Sequence, residues 1–551
     1  MLFLGLIMNY IAIVCKYSKP LEFPIVLKQN VLFLQLIAKD ILKNPNISKL
    51  TKQLINIVWF KRDLRLHDHA ALCKAIEADK PVLLIYIFEP ELINDPHYDL
   101  RHWRFVWQSL KDMQQVKNLN FTLAVIHQGA IDAFRQIFRF YNVHTVFSYE
   151  EVGIRKTFDR DLELKKLFKS KGVFWDESPY AGVRRALKNR EGWAKYWHMQ
   201  MYTAEDKVHL GRLKELAIRL GEDNQQALQA IKGKSIPREF MEAMPDGMQS
   251  GGEHLAWERL ETFLQYRAAG YGKNISSPTG ARHHGSRLSA HLAWGNLSMR
   301  QVFHYYLNHL KEKEPSVQRD LNAMASRLRW HCHFIQKFES EDSIEFYNLN
   351  PAFNVLNQTF NEPFFEAWKK GETGFPLVDA AMRCLKETGF LNFRLRAMVM
   401  SFWSHLLWQP WKPAAEYLAS MFLDFEPGIH YAQVQMQAGV TGINTIRIYN
   451  PVKQSKDVDA NAEFILEWVP ELRSLPINFV HEPWTLTAME QLFLDIQLGV
   501  HYPSPIVDLK KAHSNARDIL WGIKDSKEAQ KYNRKILRKH VEGKAVKEQD
   551  E

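Results

Sequence analysis

A chain of 551 residues, 46% of them hydrophobic, can bury large cores and divides into two or three domains. Its formal charge of +10, spread along the chain, favours an anionic partner such as nucleic acid. The four cysteines, Cys15, Cys73, Cys332 and Cys384, never approach CxxC spacing, which excludes a disulfide framework and a four-thiolate metal cluster and agrees with a reducing, cytoplasmic setting.

Residues 1–54 open on MLFLGLIMNYIAIVC, too short for a comfortable membrane span and without the basic lead or small-residue cleavage site of a secretory signal. They read as a leader outside the fold or as an overextended gene start, and no stable membrane association is expected. From Ile55 the pattern is α/β. INIVWF (Ile55–Phe60), PVLLIYIF (Pro81–Phe88), LAVIH (Leu123–His127) and TVFSY (Thr145–Tyr149) are short apolar runs rich in β-branched and aromatic residues. HAALCKAIEA and AIDAFRQIFRFY, between them, have helical spacing. Strand, helix, strand at this interval implies parallel pairing in a doubly wound sheet over residues 55–190. Neither GxGxxG nor GxxxxGK[ST] follows a strand, so this sheet is not an obvious dinucleotide or nucleoside triphosphate site.

Residues 191–253 read as a connector ending in the linker-like SIPREFMEAMPDGMQSGGE (Ser235–Glu253). Beyond it WERLETFLQY, MRQVFHYYLNHL, MASRLRWHCHFIQKF, FPLVDAAMRCLKET and LRAMVMSFWSHLLW place large apolar residues at three- and four-residue steps, predicting an all-helical domain over 254–551. His331, Cys332 and His333 are adjacent on such a helix and face different ways, so no metal site is expected. Ser286, Arg287 and Ser289 in GSRLS stand just ahead of a helical run, where hydroxyls, a guanidinium and N–H groups suit a diphosphate. For the serines alone, capping is the ordinary explanation.

An α/β domain joined by a connector to a helical domain carrying GSRLSAHLAWGNLS, WKKGETGFPLVDAAMRCL, NFRLRAM and RIYNP resembles the photolyase/cryptochrome family, from Ile55 to about Val541. The resemblance implies an optional light-harvesting antenna on the first domain and a U-shaped FAD in the second. VWFKRDLRLHDHAAL (Val58–Leu72) is similar to the family's opening strand and turn, with Arg62, Asp63 and Arg65 fixing that loop to the sheet. By the same resemblance Gly285, Ser286, Arg287, Leu288 and Ser289 form the phosphate loop, with Tyr271 as its companion and Gly285 where threonine is usual. Arg396 and Asp424 match the ion pair beside the flavin ring; Phe425 follows, and Glu426 falls at the second acidic contact. His430 falls at the position facing flavin N5, where its protonation would tune one-electron chemistry.

Trp411 matches the middle member of the family's tryptophan chain, whereas Val434 and Gln358 occupy the other two places. Trp403 and Trp408, with Tyr431 or Tyr449 as further stations, are the expected alternative route. For DNA, Trp330 matches the stacking tryptophan, and Arg394, Arg447 and Gln454 match DNA-facing positions, with Asn450 in the adjoining turn. Asn392-Phe393 replaces the usual His-Asn, Arg327 stands where cyclobutane photolyases carry a base-binding glutamate, and His331 replaces an arginine. Gly153-Ile154 replaces the Asn-Glu of folate-binding relatives. Residues Gly182–Trp197 either close over another antenna chromophore or form a structural inter-domain helix.

These matches imply a light-driven, FAD-dependent repair enzyme for UV-induced pyrimidine dimers, acting as a monomer on damaged DNA. The alternatives are a blue-light photoreceptor of the cryptochrome type and a non-catalytic DNA-binding flavoprotein.

Overall fold

The computed structural model describes residues 52–116, 123–221 and 224–541; the apolar opening of the chain and its last ten residues lie outside them. Five strands, β1 (Leu54–Phe60), β2 (Val82–Phe88), β3 (Ala124–His127), β4 (Asn142–Tyr149) and β5 (Phe174–Ser178), form one sheet in the order β3-β2-β1-β4-β5. β1 pairs parallel to β2, β2 to β3 and β4 to β5, which is the doubly wound arrangement expected from the sequence. Every residue of β2 is buried, as befits a central strand covered on both faces. The sequence reading missed β5. FWDES is short and mostly polar, its Phe174 is exposed, and its strand state comes from pairing with β4.

Helices α1 (Ala70–Glu77), α2 (Leu100–Gln115), α3 (Ala130–Phe140) and α4 (Arg155–Lys171) flank the sheet. Asp99 caps α2, its carboxylate accepting from the Arg101 N–H at 3.1 Å. Gly172, at φ +68°, ends α4 in the left-handed conformation that glycine adopts without strain.

The second half is helical, as the three- and four-residue spacing requires. Its main elements are α5 (Trp193–Tyr202), α6 (Glu253–Thr262), α7 (Met299–Leu310), α8 (Pro315–Ser340), α9 (Pro376–Thr388), α10 (Phe393–Ser401), α11 (Trp411–Met421) and α12 (Pro427–Gln437). α8 and α12 pack at very close range because Gly428 lacks a side chain; a Cβ there would stand 2.6 Å from the Ile335 Cα. LRAMVMSFWSHLLW, expected as one helix, is broken. α10 gives way to a π-turn at Phe402–Leu406, Trp408 takes φ +54°, and α11 starts only after Pro410. Proline's missing N–H and fixed φ explain why the next helix begins there.

Two connecting stretches are more firmly held than their composition suggests. In Ser235–Glu253, Phe240 enters the core beside Phe88 and Trp103, and the Gly251 N–H donates to Gln108 Oε1 at 3.0 Å. This stretch is packed on α2 rather than left as a free linker. In Gly182–Trp197 the first part is turns, and only α5 is helical. Arg184 N–H donates to Gln336 Oε1 (2.7 Å), Ala186 N–H to Glu339 Oε1 (2.7 Å) and Arg190 Nη2 to the His333 carbonyl (2.8 Å), strapping the segment to α8.

The WGN of GSRLSAHLAWGNLS docks on the turn after β1: Asn296 Nδ2 donates to the Leu64 carbonyl at 3.0 Å, and the Leu64 N–H donates to the Trp294 carbonyl at 3.2 Å. Gly295, at φ +73°, allows this approach, since a Cβ there would lie 2.2 Å from the Arg62 carbonyl. Among the described residues no helix is long and apolar enough to cross a membrane.

Candidate functional site

The first turn of α10 carries Arg396, and the link between α11 and α12 carries Asp424. Arg396 Nη2 donates to both Asp424 oxygens, at 2.9 and 2.7 Å, while its Nε donates to the Leu391 carbonyl at 2.8 Å. The guanidinium lies 3.9 Å over the Phe422 ring. Burial alone would push the Asp424 carboxyl up. The Arg396 charge and hydrogen bonds, with one from Ser289, outweigh it and hold the group below its ordinary value. This ion pair borders a cleft lined also by Phe393, Phe425, Glu426 and His430.

Glu426 is buried on the same rim, facing Arg62 from the turn after β1. Arg62 Nη1 donates to Glu426 Oε2 at 3.2 Å and to the Phe425 carbonyl at 3.0 Å, with its guanidinium 4.6 Å over Trp294. Burial raises the Glu426 carboxyl to about 7, with Arg62 pulling the other way. Arg62 does not merely tie its own loop to the sheet, as the sequence suggested; it buttresses the floor of a cleft in the other half of the chain. Basic residues in a loop give no sign of so distant a partner.

The GSRLS segment lies next to this rim. Ser289 hydrogen-bonds Asp424 and so joins the loop to the ion pair. The run after it is a single short turn, Ser289–Ala293, rather than a helix whose dipole could hold an anion. The cationic character comes from side chains instead. Arg287, at φ +56°, has its guanidinium 4.0 Å over Phe390 and its buried Nε without a partner. Burial and the like charges of Arg259 and Arg282 lower it to about 10; burial and Arg259 lower Arg267, which donates to the Gly285 carbonyl, to about 10 as well. Two guanidinium groups destabilised by neighbours of the same sign, one with an orphaned donor, fit a diphosphate. At Gly285 a Cβ would stand 2.4 Å from the Ala281 carbonyl oxygen, so this backbone leaves no room for threonine.

Comparison with known proteins agrees with this chemistry. The family model for DNA photolyase matches residues 56–179, and that for the FAD-binding domain of DNA photolyase matches residues 324–522. The chain belongs to the photolyase/cryptochrome family. Among its relatives are a deoxyribodipyrimidine photo-lyase of Alkalihalophilus pseudofirmus, 26% identical over 85% of this chain and 98% of that one, and a cryptochrome DASH of Synechocystis sp., 27% identical over 84% and 97%. A Synechocystis cryptochrome crystal structure shares the fold, with a TM-score of 0.74 at 24% identity, covering 85% of this chain and 99% of that one.

In a member of this family the helical half is the FAD-binding domain. The structure gathers Arg396, Asp424, Phe425, Glu426, His430 and Ser289 about one cleft, with Gly285 to Arg287 beside it. Leu288 is core, and Tyr271 is buried with its phenol hydrogen-bonded to Arg327. His430 departs from the expected role. Its Nε2–H donates to the Ala415 carbonyl at 2.9 Å and burial pushes its pKa down to about 3, so the ring stays neutral and does not titrate near neutral pH.

The DNA-facing residues expected from the family are distributed less uniformly. Trp330 on α8 is 50% exposed and rests on Phe334 and His333, with ring centroids at 5.7 and 5.3 Å. One residue on, His331 turns inward: burial lowers it to about 4 against the pull of Asp424, and its Nε2 has no protein partner. Phe393 is exposed and lines the cleft beside the Arg396–Asp424 pair, Arg394 Nη1 donates to Gln454 Oε1 at 3.2 Å, and Arg447 is exposed. Arg327 is exposed, and its side chain hydrogen-bonds the Tyr271 phenol.

The aromatic route is also rearranged. Trp403 packs with Trp368 and Phe365, at 5.2 and 5.3 Å, and its Nε1 donates to the Pro410 carbonyl. Among the described ring contacts neither Trp403 nor Trp408 meets Trp411, because the three lie on separate segments. Trp411 instead meets Tyr431 at 6.3 Å, and Tyr431 meets His430 at 5.5 Å. Val434 lines the cleft, Gln358 donates to the Ser404 carbonyl, and Tyr449 is buried with its N–H donating to Ser401 Oγ.

A second cleft, of about 420 Å³, lies against β1 and β2 beside Trp59, Trp103 and Trp294. Its charges satisfy one another: Arg160 meets Glu89 at 2.5 Å and Glu151 at 2.6 Å, and Lys61 meets Asp161 at 3.3 Å.

Proposed function

We propose that this protein repairs UV-induced pyrimidine dimers in DNA, as a deoxyribodipyrimidine photo-lyase working as a monomer. The observation that carries the reading is the pairing on α8 of a half-exposed Trp330 with an inward His331 influenced by Asp424, beside a cleft whose wall includes the exposed Phe393. An exposed aromatic face in the wall of a flavin cleft is what a base flipped from the duplex requires. Arg394 and Arg447 supply cations for the flanking phosphates.

When bound, FAD supplies a light-excitable one-electron donor for opening the cyclobutane ring, and return of the electron makes the cleavage redox-neutral. The protein's part is positional. Arg396 and Asp424 would hold the flavin ring, Arg287 and Arg267 would hold the diphosphate, and the buried Glu426–Arg62 pair would close the cleft against water. His430 contributes a fixed, neutral imidazole.

Arg327 favours a second reading, a blue-light receptor using the same flavin, since the position where cyclobutane photolyases carry a base-binding glutamate holds no carboxylate here. Illumination of the reduced, FAD-loaded protein with dimer-containing DNA separates the two. Light-dependent restoration of thymines supports repair; tight binding without restoration rejects it.

A further inference from the structure

We propose that Tyr431 is a proton-coupled redox station, oxidised when the flavin is photoreduced and deprotonated by His97 through a hydrogen-bonded Tyr431–His97–Asp95–Lys156 relay. The proposal rests on the flavin reading above and assigns the internal electron donor that the displaced tryptophans leave open.

The four residues come from remote parts of the chain. Tyr431 lies on α12 and is fully buried, and its hydroxyl donates to Nε2 of His97, which precedes α2. His97 Nδ1 meets Asp95 Oδ1 at 2.5 Å, and the His97 N–H donates to the same oxygen at 3.1 Å. Asp95 Oδ2 accepts from Lys156 Nζ at 2.6 Å, and the lysine, on α4, is 45% exposed. An Nδ1–H bound to a carboxylate fixes the tautomer whose Nε2 accepts a proton, the same division of labour that orients a catalytic histidine. The carboxylate then stabilises the imidazolium that forms. Burial works against the ionised Asp95, but hydrogen bonds from His97 and Lys156 hold its pKa down to about 2, so it remains anionic.

The ring environment supplies the electronic half. Tyr431 contacts Trp411 at 6.3 Å, His430 at 5.5 Å and Phe338 at 6.0 Å, and His97 stacks on Phe425 at 5.6 Å. Phe425 and His430 line the flavin cleft, so the phenol stands one ring behind that wall with Trp411 on its other side. Oxidising a buried phenol without removing its proton would place an uncompensated cation in the core, at a cost of several kcal/mol. A hydrogen-bonded imidazole removes that barrier.

The step balances. Tyr431 gives one electron to an oxidised flavin in its light-excited state, and its phenolic proton passes to His97 Nε2. The imidazolium stays paired with Asp95. A soluble thiol later returns one electron, and His97 returns the proton to the phenolic oxygen.

The test uses FAD-loaded protein with the flavin oxidised, flash-illuminated without added thiol and followed by transient absorption and electron paramagnetic resonance. We expect a tyrosyl spectrum that forms at least twofold more slowly in D2O. Tyr431→Phe should lower its yield at least tenfold, and His97→Ala should shorten its lifetime at least tenfold. An undiminished tyrosyl signal in Tyr431→Phe, a wild-type signal in His97→Ala, or photoreduction with no tyrosyl at all would each overturn the proposal. A readout independent of flavin covers loss of the cofactor or of photoreduction. The 15N spectrum of histidine-labelled, flavin-free protein should show a His97 Nε2 resonance that moves in Tyr431→Phe, with Asp95→Asn as a second, shape-preserving perturbation. An unmoved resonance overturns the relay even then. Failure to bind FAD or to photoreduce it, with the resonance moving as expected, rejects the functional reading and leaves the hydrogen-bonded relay standing.

Discussion

Replacing Asp424 by alanine strips Arg396 of the carboxylate it is hydrogen-bonded to at the rim of the cleft. The guanidinium would keep the Leu391 carbonyl and the Phe422 face, and its side chain is 22% exposed, against 7% for Asp424. Removing one member of a buried ion pair costs about 3–5 kcal/mol, and the partial exposure of Arg396 places this case near the lower end, at about 3 kcal/mol. Arg396→Met leaves the better-buried carboxylate with Ser289 alone and should cost about 4 kcal/mol by the same reasoning. The double variant leaves no uncompensated charge, so it should lose at least about 2 kcal/mol less than the sum of the singles. Urea unfolding of flavin-free protein measures the cycle, and flavin retained after dialysis measures the functional consequence. Additivity to within about 0.5 kcal/mol, or full flavin occupancy in Asp424→Ala, would show that the pair neither supports the cleft nor holds the cofactor.

Trp330→Ala should weaken binding of dimer-containing duplex by more than about 1 kcal/mol, one lost base–aromatic stack, in a fluorescence titration; unchanged affinity would remove Trp330 from the lesion site. His430, whose pKa burial depresses from 6.5 to about 3, binds its proton more readily in the unfolded chain, so its contribution to stability is complete above pH 6.5 and is lost as pH falls from 6.5 towards 3. The His430→Asn variant should therefore show a shallower acid-side decline in unfolding free energy, by up to about 1.4 kcal/mol per pH unit. An equal slope in the two proteins would mean that the imidazole is protonated in the fold.

What the sequence determined by itself was whatever depends on local order. Short continuous apolar runs with intervening helical spacing disclosed the parallel sheet, and three- and four-residue spacing disclosed the helical half. Resemblance to the family's motifs singled out Arg396, Asp424 and Glu426, and the structure lines one cleft with all three. Tertiary structure alone decided what depends on partners distant in the chain. Tyr431 and His97 are separated by 334 positions, and Arg62 and Glu426 by 364. Trp403, Trp408 and Trp411 look like one aromatic path along the chain, yet Pro410 and a π-turn send them to different neighbours. β5 has too little apolar pattern to declare itself and takes its strand conformation from the edge of β4. A side chain's periodicity records which face it shares with its neighbours in sequence; which distant group it meets is settled only when packing brings those faces together.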